Sequence, residues 1–470
     1  MSPTLFLCGR GGTLDSPSPP LLFEPVHEDS LRELAGGHFS HGVHDLHDSG
    51  CTHLKRSVDP VETIAAKQAT APGSPLRLPQ FRNLWLGSTV SMLGDQFYLV
   101  ALPWLVLQLT SSSFALGVIM MTAAVPRALL MLMGGAVSDR FAPRNVMLAT
   151  TAARTLLVTA VAFLTWTHWI NIYYLYCLAF AFGTADAFGF PASQALLPRL
   201  VQTGQLTAAN SMFSGSMQAC NLLGPAPAGF VIKMWGLAAA FFIDAVSFVF
   251  AIVPLAQLPK PEPSPDAPPG RPPMLRSIAE GLRYVWRDGA LRSLVMLFAG
   301  INLWALGPVI VGLPVLARVR FGSSAAFGTM MSCFGGGALA GMILAGAQRT
   351  HRRRGLRFLG FVSAEAVGIT AIPFIENFAV VAVVLTLIGV AAGLANVSIT
   401  AWIQGYVDRA LIARVMSVLM FAAVGLMPVS LVLAGAVADL HLRAMFVASG
   451  ALMILTTAAA ALHPSTRAID

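Results

Sequence analysis

The chain has 470 residues, of which 56% are hydrophobic and only 11% are charged, and its mean hydropathy is +0.69. A soluble domain carries about 25% charged residues, so this composition excludes an ordinary water-soluble protein and indicates a surface that faces lipid. The formal net charge of +8 does not indicate nucleic-acid binding, because the basic residues fall in short segments between apolar runs, a placement typical of membrane orientation.

The first 80 residues differ from the rest, because they are rich in Pro, Gly, Ser and His and lack a sustained apolar pattern. We predict that residues 1–80 form a disordered, His-rich cytosolic tail. Potential metal ligands cluster within it: His38, His41, His44, His47, Cys51 and His53. A metal-binding tract is one interpretation, but no packed element would fix a coordination geometry. We therefore favour a compositional accident, and expect neither a metal site nor a cofactor.

From Phe81 onward, twelve apolar segments of roughly 20 to 27 residues follow one another. Each is long enough to cross a hydrocarbon core of about 30 Å as an α-helix. The predicted spans are 84–109, 114–138, 145–167, 170–193, 208–232, 237–256, 291–317, 325–347, 356–375, 378–403, 411–437 and 442–462. The predicted fold class is an all-α membrane protein with twelve transmembrane helices. We expect a multi-pass protein of the plasma (inner) membrane.

A linker separates the sixth and seventh spans. Residues 257–273 have the sequence QLPKPEPSPDAPPGRPP, and the segment that follows has the pattern of an amphipathic helix. Its apolar face carries Leu275, Ile278, Leu282, Val285 and Trp286, and its charged face carries Arg276, Glu280, Arg283 and Arg287. Such a helix is typical of the membrane interface; an ordinary soluble linker helix is the alternative. The predicted domains are the tail (1–80), a six-helix bundle (81–256), the cytosolic linker (257–290), a second bundle (291–463) and a cytosolic tail (464–470).

Lysine and arginine residues predict the orientation of the chain. If the chain begins in the cytosol, the loops on that side hold fifteen basic residues and the outer loops hold four. The outer four are Lys233, Arg318, Arg320 and Arg443. Both termini are therefore predicted to be cytosolic.

Recurring residues indicate that the two bundles are related. Pro103, Gly117 and Gly135 recur 211 residues later as Pro314, Gly328 and Gly346, and Gly183 and Gly229 recur 206 residues later as Gly389 and Gly435. Together with six spans on each side of the linker, these residues predict two pseudo-symmetric six-helix bundles. Parallel repeats of this kind are a known transporter architecture.

The segment GGAVSDRFAPRN (134–145) falls at the predicted inner end of the second span. It resembles the cytosolic loop signature of the major facilitator superfamily, roughly Gly-x-x-x-Asp-Arg-x-Gly-Arg-Arg. The matching residues are Gly135, Asp139, Arg140 and Arg144, whereas Ala142 and Pro143 stand where the superfamily prefers Gly and Arg. FRNLWLGSTVSMLGDQF and AFGFPASQALLPRLV are similar to the branch that contains macrolide-efflux and enterobactin-exporter proteins. The resemblance covers about residues 81–463 and implies the major facilitator fold.

This resemblance implies a gate at the loop motif. Asp139 would stabilise the positive N-terminus of the eleventh span, which begins near Leu411. Arg140 and Arg144 would pair with acidic groups or with anionic headgroups. The alternative is a positive-inside anchor with a helix cap.

Two glycine-containing segments predict close helix packing. LLGPAPAGF (222–230) resembles a loose form of the superfamily's antiporter motif, with matches at Gly224, Pro225 and Gly229. In the eighth span, Gly337 and Gly341 form a small-x-x-x-small face. Such faces allow helices to rock against each other, although static packing fits the same pattern.

Ionisable residues inside spans are costly and are therefore functional candidates. Asp95 and Arg127 each lie about eleven residues from the inner end of a span, at a depth of roughly 16 Å. We predict an Asp95–Arg127 pair, which acts either in proton or substrate coupling or as a permanent structural pair. Asp186 is a third coupling candidate, because the resemblance places the fourth helix at the cavity.

The remaining intramembrane charges are predicted to be structural. The resemblance places Asp244 and Glu365 on peripheral helices, and Arg154 would pair across a helix interface or snorkel inward. Five uncharged polar residues are further candidates for the cavity lining: Gln194, Asn221, Asn302, Asn396 and Gln404.

The leading hypothesis is a secondary active exporter of an amphipathic small molecule (a drug, a macrolide-like compound or a siderophore), coupled to protons. An uptake permease of the same fold and a non-transporting membrane sensor are the alternatives. The spans hold no nucleophile–base cluster and the chain has no GxxxxGK[ST] loop, so we expect neither an enzyme nor a nucleotide-driven pump. The expected partners are the substrate, protons and the lipid bilayer, for a monomer that binds no nucleic acid.

Overall fold

The computed structural model describes residues 74–259, 274–347 and 354–462. The His-rich segment, the proline-rich part of the linker and the end of the chain lie outside these ranges, and so do the predictions made for them. Helix α8, the expected amphipathic helix of the linker, lies within the described residues.

Fourteen helices form the described chain, and their bounds define the labels used below. They are α1 (Pro79–Thr110), α2 (Ser113–Arg140), α3 (Pro143–Trp166), α4 (Ile172–Leu200), α5 (Leu206–Leu223), α6 (Pro225–Trp235), α7 (Leu237–Gln257), α8 (Met274–Arg287), α9 (Gly289–Phe321), α10 (Ser324–Ala347), α11 (Arg354–Ala371), α12 (Phe378–Tyr406), α13 (Arg409–Leu440) and α14 (Leu442–Leu462). Short 3₁₀ turns lie at Pro75–Arg77, Thr203–Gln205 and Ile372–Phe374.

The helices follow the predicted spans closely. Among the described residues, eleven helices are long and apolar enough to cross a membrane. The remaining predicted span, 208–232, is divided into α5 and α6 at Gly224. Pro225 and Pro227 cause the break, because proline has no amide hydrogen to continue the helical hydrogen-bond ladder. The all-α membrane architecture expected from the sequence is confirmed.

Helix α9 also departs from regular α-helical geometry. It contains two π-helical turns, Pro308–Gly312 and Ala317–Phe321, on either side of the α-helical segment Leu313–Leu316. Pro308 and Pro314 each remove one amide donor from the ladder, which favours such irregular turns. Pro314 is the residue that corresponds to Pro103 of α1 in the predicted repeat.

Within each bundle, the repeated glycines bring two helix backbones into contact. In the first bundle α2 packs along α4, and in the second α10 packs along α12. A Cβ atom on Gly183 would lie 2.0 Å from the carbonyl oxygen of Ala123, and one on Gly389 would lie 2.2 Å from that of Phe334. Ala123 and Phe334 are themselves 211 residues apart (334 − 123). The same close contact therefore occurs in both bundles.

Two glycine crossings join the bundles to each other. At the first, α2 meets α13, where a Cβ atom on Gly117 would lie 2.4 Å from the Leu431 carbonyl oxygen and 3.3 Å from the Gly435 Cα. At the second, α6 meets α10, where a Cβ atom on Gly229 would lie 2.4 Å from the Ser324 carbonyl oxygen and 3.1 Å from the Gly328 Cα. The two crossings are equivalent under the sequence repeat. Gly117 in the first crossing corresponds to Gly328 in the second, and Gly229 in the second corresponds to Gly435 in the first.

We call the interface between the two bundles the seam. Polar contacts reinforce the seam at one end of the molecule, and we call this end the closed end. Here Asp439 of the second bundle accepts hydrogen bonds from the Ser113 amide (2.7 Å) and the Ser112 hydroxyl (3.1 Å). The carboxylate thus caps the N-terminus of α2 in the first bundle. Arg318 donates to the Ser111 hydroxyl at 3.2 Å. The opposite end carries the start of α3 and is called the basic end, after its predicted arginine-rich loops.

The linker helix α8 packs against α13 at the basic end. Gly281 faces the Arg414 backbone, Val285 is fully buried, and Glu280 forms a 3.1 Å ion pair with Arg414. Leu282 and Trp286 are exposed, as expected of side chains that enter a membrane interface.

We predict that Gly229→Val opens the closed end, because the added side chain cannot fit against the Ser324 carbonyl. Overpacking of this kind costs about 1–3 kcal/mol, which shifts a conformational equilibrium by roughly tenfold or more. Spin labels at positions 109 and 440, both exposed at this end, should show a longer distance distribution in the variant. Gly360→Val is the matched control, since its Cβ meets no atom within 4 Å. An unchanged distribution in Gly229→Val would contradict the prediction.

Candidate functional site

Five charged residues lie at one level inside the first bundle, and we call them the charge cluster. They are Asp95 on α1, Arg127 on α2, Arg154 on α3, Asp186 on α4 and Asp244 on α7. Each lies in the middle third of its helix, so their side chains meet halfway across the bundle. Charged groups at this depth are expensive and need partners.

Arg154 is the centre of this cluster. Its Nη2 lies 2.5 Å from Asp95 Oδ1, and its Nε lies 3.3 Å from Asp186 Oδ1. The guanidinium also lies over two aromatic rings, 4.9 Å from the Phe182 centroid and 4.5 Å from the Phe248 centroid. Aromatic faces stabilise a cation where water is excluded. Arg154 therefore connects α1, α3, α4 and α7 through one side chain.

Arg127 extends the cluster toward the second bundle. Its Nη1 lies 3.8 Å from Asp186 Oδ2, and its Nη2 donates to the sulfur of Met427 on α13 at 3.2 Å. The Arg127 side chain is 37% exposed and that of Asp95 is 34% exposed. The cluster is thus only partly enclosed, and through Arg127 it reaches the second bundle.

The predicted Asp95–Arg127 pair is wrong. Asp95 pairs with Arg154, and Arg127 pairs with Asp186. The depth of each residue follows from its position along its helix, but the pairing depends on the direction in which each helix face points. Asp95 points toward α3 rather than α2. Arg154 pairs across a helix interface, which is one of the two alternatives stated for it.

A chain of amides leads from the cluster to the second bundle. Gln96 donates to Asn221 at 3.1 Å, Asn221 donates to Gln218 at 3.2 Å, and Gln218 donates to the sulfur of Met342 on α10 at 3.0 Å. The break in the fifth span makes room for this chain, because a Cβ atom on Gly224 would lie 2.5 Å from Gln96 Cγ. Near the break, the Ala226 amide donates to Ser332 of α10 at 2.9 Å.

Two members of the amide chain, Gln96 and Gln218, are not among the residues predicted from the sequence. The signals were present, since Gln96 follows Asp95 directly and Gln218 lies three residues before Asn221, on the same helical face. Of the other polar candidates, Gln194, Asn396 and Gln404 are exposed, and Asn302 donates to the Phe298 carbonyl of its own helix.

The loop motif is described only in part. The backbone of α2 remains helical through Gly135, Asp139 and Arg140, whose side chains lie outside the described atoms. Arg144 binds within the first bundle, donating to the carbonyl oxygens of Leu255 (3.2 Å) and Ala256 (2.6 Å) at the end of α7. The predicted gate latch stays a prediction, and Arg144 acts here as a cap for a helix C-terminus.

The other predicted packing glycines lie inside the second bundle. Cβ atoms on Gly337 and Gly341 would lie 2.1 Å from the Thr386 and 2.2 Å from the Val390 carbonyl oxygens of α12. This face therefore packs within the second bundle, whereas Gly229 and Pro225 lie at the seam between the bundles.

A family model described as "Transmembrane secretion effector" matches residues 70–470. The chain belongs to this family of major facilitator superfamily transporters. The superfamily resemblance found in the sequence is confirmed. The protein is therefore a multi-pass membrane transporter and not an enzyme.

Individual proteins extend this family match. The multidrug efflux pump Tap of Mycolicibacterium fortuitum is 26% identical, over 84% of this chain and 97% of that protein. The staphyloferrin A transporter of Staphylococcus aureus is 25% identical, over 75% of this chain and 88% of that protein. A bacterial homologue of the iron transporter ferroportin, in its inward-facing state, shares the fold with a TM-score of 0.63 and 15% identity, over 82% of this chain and 99% of that one.

We predict that Arg154→Met destabilises the transporter far more than Arg127→Met. Removing Arg154 leaves two carboxylates without their central cation; breaking an ion pair from one side costs up to roughly 3–5 kcal/mol where the pair is fully buried, and these side chains are partly buried. Arg127 is more exposed and its ion pair is longer, so its loss should cost less than about 1 kcal/mol. Thermal unfolding of the purified variants in detergent measures the difference. Equal losses in the two variants would show that Arg154 is not the central partner.

Arg144→Gln should lower the free energy of unfolding by about 1–2 kcal/mol, because the last carbonyls of α7 lose charged donors. Arg199→Gln is the matched control, an exposed arginine in the last turn of α4 at the same end. The same unfolding assay applies, and an equal effect of both substitutions would rule out the capping role.

Proposed function

We propose that this transporter is a proton-coupled exporter of an amphipathic small molecule, working by alternating access as a monomer without nucleotide. The observation that carries the proposal is the charge cluster. It places carboxylates and guanidinium groups in the middle of the spans of the first bundle, only partly buried and in contact with the second bundle through Arg127. Titratable groups in that position are suited to exchange protons with a cavity that opens alternately to each side.

The direction of opening follows from the seam and from the charges of the loops. The glycine crossings and the Asp439 cap hold the bundles together at the closed end. The positive-inside rule assigns the basic end to the cytosol, with both termini on that side. On this assignment the structure is an inward-facing state, in which substrate enters from the cytosol.

The substrate class rests on the chemistry at the seam. Met427 and Met342 present polarisable sulfur atoms next to Arg127 and Gln218. Flexible thioethers beside amide and charged groups suit ligands that are partly apolar and partly polar. The multidrug efflux pump Tap, at 26% identity, supports a drug or macrolide-like compound and outward movement. A siderophore is the other substrate that we propose on the resemblance seen in the sequence.

An uptake permease is the second candidate. The name of the staphyloferrin A transporter states a cargo without a direction, so this relative is compatible with either direction of transport. A permease would move its substrate down a gradient without moving protons. A non-transporting sensor would move no substrate at all.

The test is proton-coupled efflux in inverted membrane vesicles with an acidic interior, using ethidium and erythromycin as the probes. We expect addition of a transported probe to raise the internal pH in the wild type. Asp95→Asn should abolish this signal, because it removes a carboxylate that links the cluster to the cavity. Glu365→Gln, at a buried acid of the second bundle, is the matched control and should keep the signal.

Each other outcome assigns a different function. Uptake of a probe without any change in the internal pH would favour the permease. If neither probe moves, the non-transporting sensor becomes the favoured function. A substrate-dependent pH signal that survives Asp95→Asn would remove Asp95 from the coupling role.

A further inference from the structure

Asp244 is the member of the charge cluster that the mechanism above does not use. Its side chain is fully buried, and neither carboxylate oxygen accepts a hydrogen bond from the described residues. The neighbouring hydroxyl, that of Ser247, donates to the Asp244 backbone carbonyl instead, at 2.7 Å. It lies on α7 between Phe241 and Phe248, both also fully buried. An ionised carboxylate without donors in such surroundings would be very unfavourable, so the group takes up a proton instead.

The charges of the cluster lead to the same conclusion. The cluster holds three carboxyl groups (Asp95, Asp186 and Asp244) but only two guanidinium groups. Arg154 contacts Asp95 and Asp186, and Arg127 contacts Asp186, so both cations are engaged away from Asp244. With every carboxyl group ionised, the cluster would carry one excess negative charge. One bound proton makes it neutral.

Asp244 lies close to Asp95 at the α1 backbone. A Cβ atom on Gly94 would lie 2.9 Å from Asp244 Oδ1, so this oxygen lies against the α1 backbone, one residue before Asp95. Arg154 is near both carboxyl groups, because its guanidinium contacts Asp95 and also covers the ring of Phe248, one helical turn after Asp244. A small movement of this cation along the aromatic face exchanges one carboxylate partner for the other.

We propose that Asp244 carries the exchanged proton and that Arg154 controls its release; this rests on the proton-coupled function proposed above. In the state described here, Asp244 is neutral and Arg154 pairs with the Asp95 carboxylate. When Arg154 moves to Asp244, the O–H bond of Asp244 breaks and its proton passes to Asp95. The new Asp244 carboxylate then pairs with the guanidinium, and Asp95 exchanges its proton with water in the cavity. The charge of the cluster is the same before and after the transfer.

The other charged groups around Asp244 are few. Helix α7 packs against α1, α3 and α6. The charged or titratable groups close enough to act electrostatically on Asp244 are Asp95 and Tyr98 on α1 and Arg154 on α3. The titratable side chain of α6, Lys233, lies at the far end of that helix, near the closed end. The exchange therefore involves Arg154 and the two acids.

The decisive variant is Asp244→Asn, which has the shape of the neutral acid and cannot release a proton. Purified protein in proteoliposomes is assayed with ethidium, or with erythromycin where the wild type moves only that compound. A pH difference of one unit drives accumulation up to about tenfold for one proton per substrate. We expect Asp244→Asn to lose this accumulation completely while keeping substrate counterflow, which needs no net proton movement. Glu365→Gln should keep both activities.

A second measurement identifies the proton directly. Infrared difference spectra record the C=O stretching band of protonated carboxyl groups on substrate binding. In the wild type and in Glu365→Gln, we expect substrate binding to remove one such band. In Asp244→Asn, the band should be absent both before and after substrate binding. Because Asn matches the neutral carboxyl group, the variant should also fold with wild-type thermal stability.

Four results would overturn the assignment: pH-driven accumulation that survives Asp244→Asn, loss of counterflow together with accumulation, an infrared band that persists in the variant, or a variant that fails to fold. These failures differ from failure of the proposed function. If the wild type itself moves no protons with substrate, the proton-coupled exporter is wrong before Asp244 is tested.

Discussion

The guanidinium of Arg154 is the group on which the first bundle depends. A charge placed halfway across a membrane must find partners inside the protein, because lipid supplies none. Arg154 finds them on α1 and α4, and it lies between two aromatic rings contributed by α4 and α7. Four helices are therefore positioned by one side chain. The same constraint makes the unpartnered Asp244 informative, since a buried acid without donors has to be explained.

The second bundle depends on backbone contacts at glycines. Its helices approach through glycines such as Gly337 and Gly389, which place the backbones of α10 and α12 in direct contact. The related contact in the first bundle, at Gly183, shows that both bundles share this packing. The charge cluster is an addition to the first bundle alone. The first bundle thus provides the ionisable groups of the proposed mechanism, and the second provides the surface against which it moves.

The seam joins these two parts of the mechanism. At the closed end it consists of glycine crossings and the Asp439 cap, contacts that depend on close approach and are lost together when the bundles separate. Halfway along, it consists of polar side chains that meet methionine sulfur, at Arg127–Met427 and Gln218–Met342. Movement at the seam therefore acts directly on Arg127, a member of the cluster, and on the amide chain that leads to Gln96, the residue after Asp95. This arrangement gives a physical route by which opening of the cavity changes the surroundings of Asp95.

Hydrophobicity and periodicity determined the number, length and order of the membrane segments, because a span of about 20 apolar residues is required by the thickness of the bilayer. The repeated glycines were also visible in the sequence, and so were the depths of the charged residues. The pairing of those charges was not, since Asp95 and Arg127 share a depth but face different neighbours. The break at Gly224 and the amide chain beyond it likewise depend on how helices rotate and cross. Depth follows from position along one helix, whereas contact depends on the arrangement of several, and only the tertiary structure decides that.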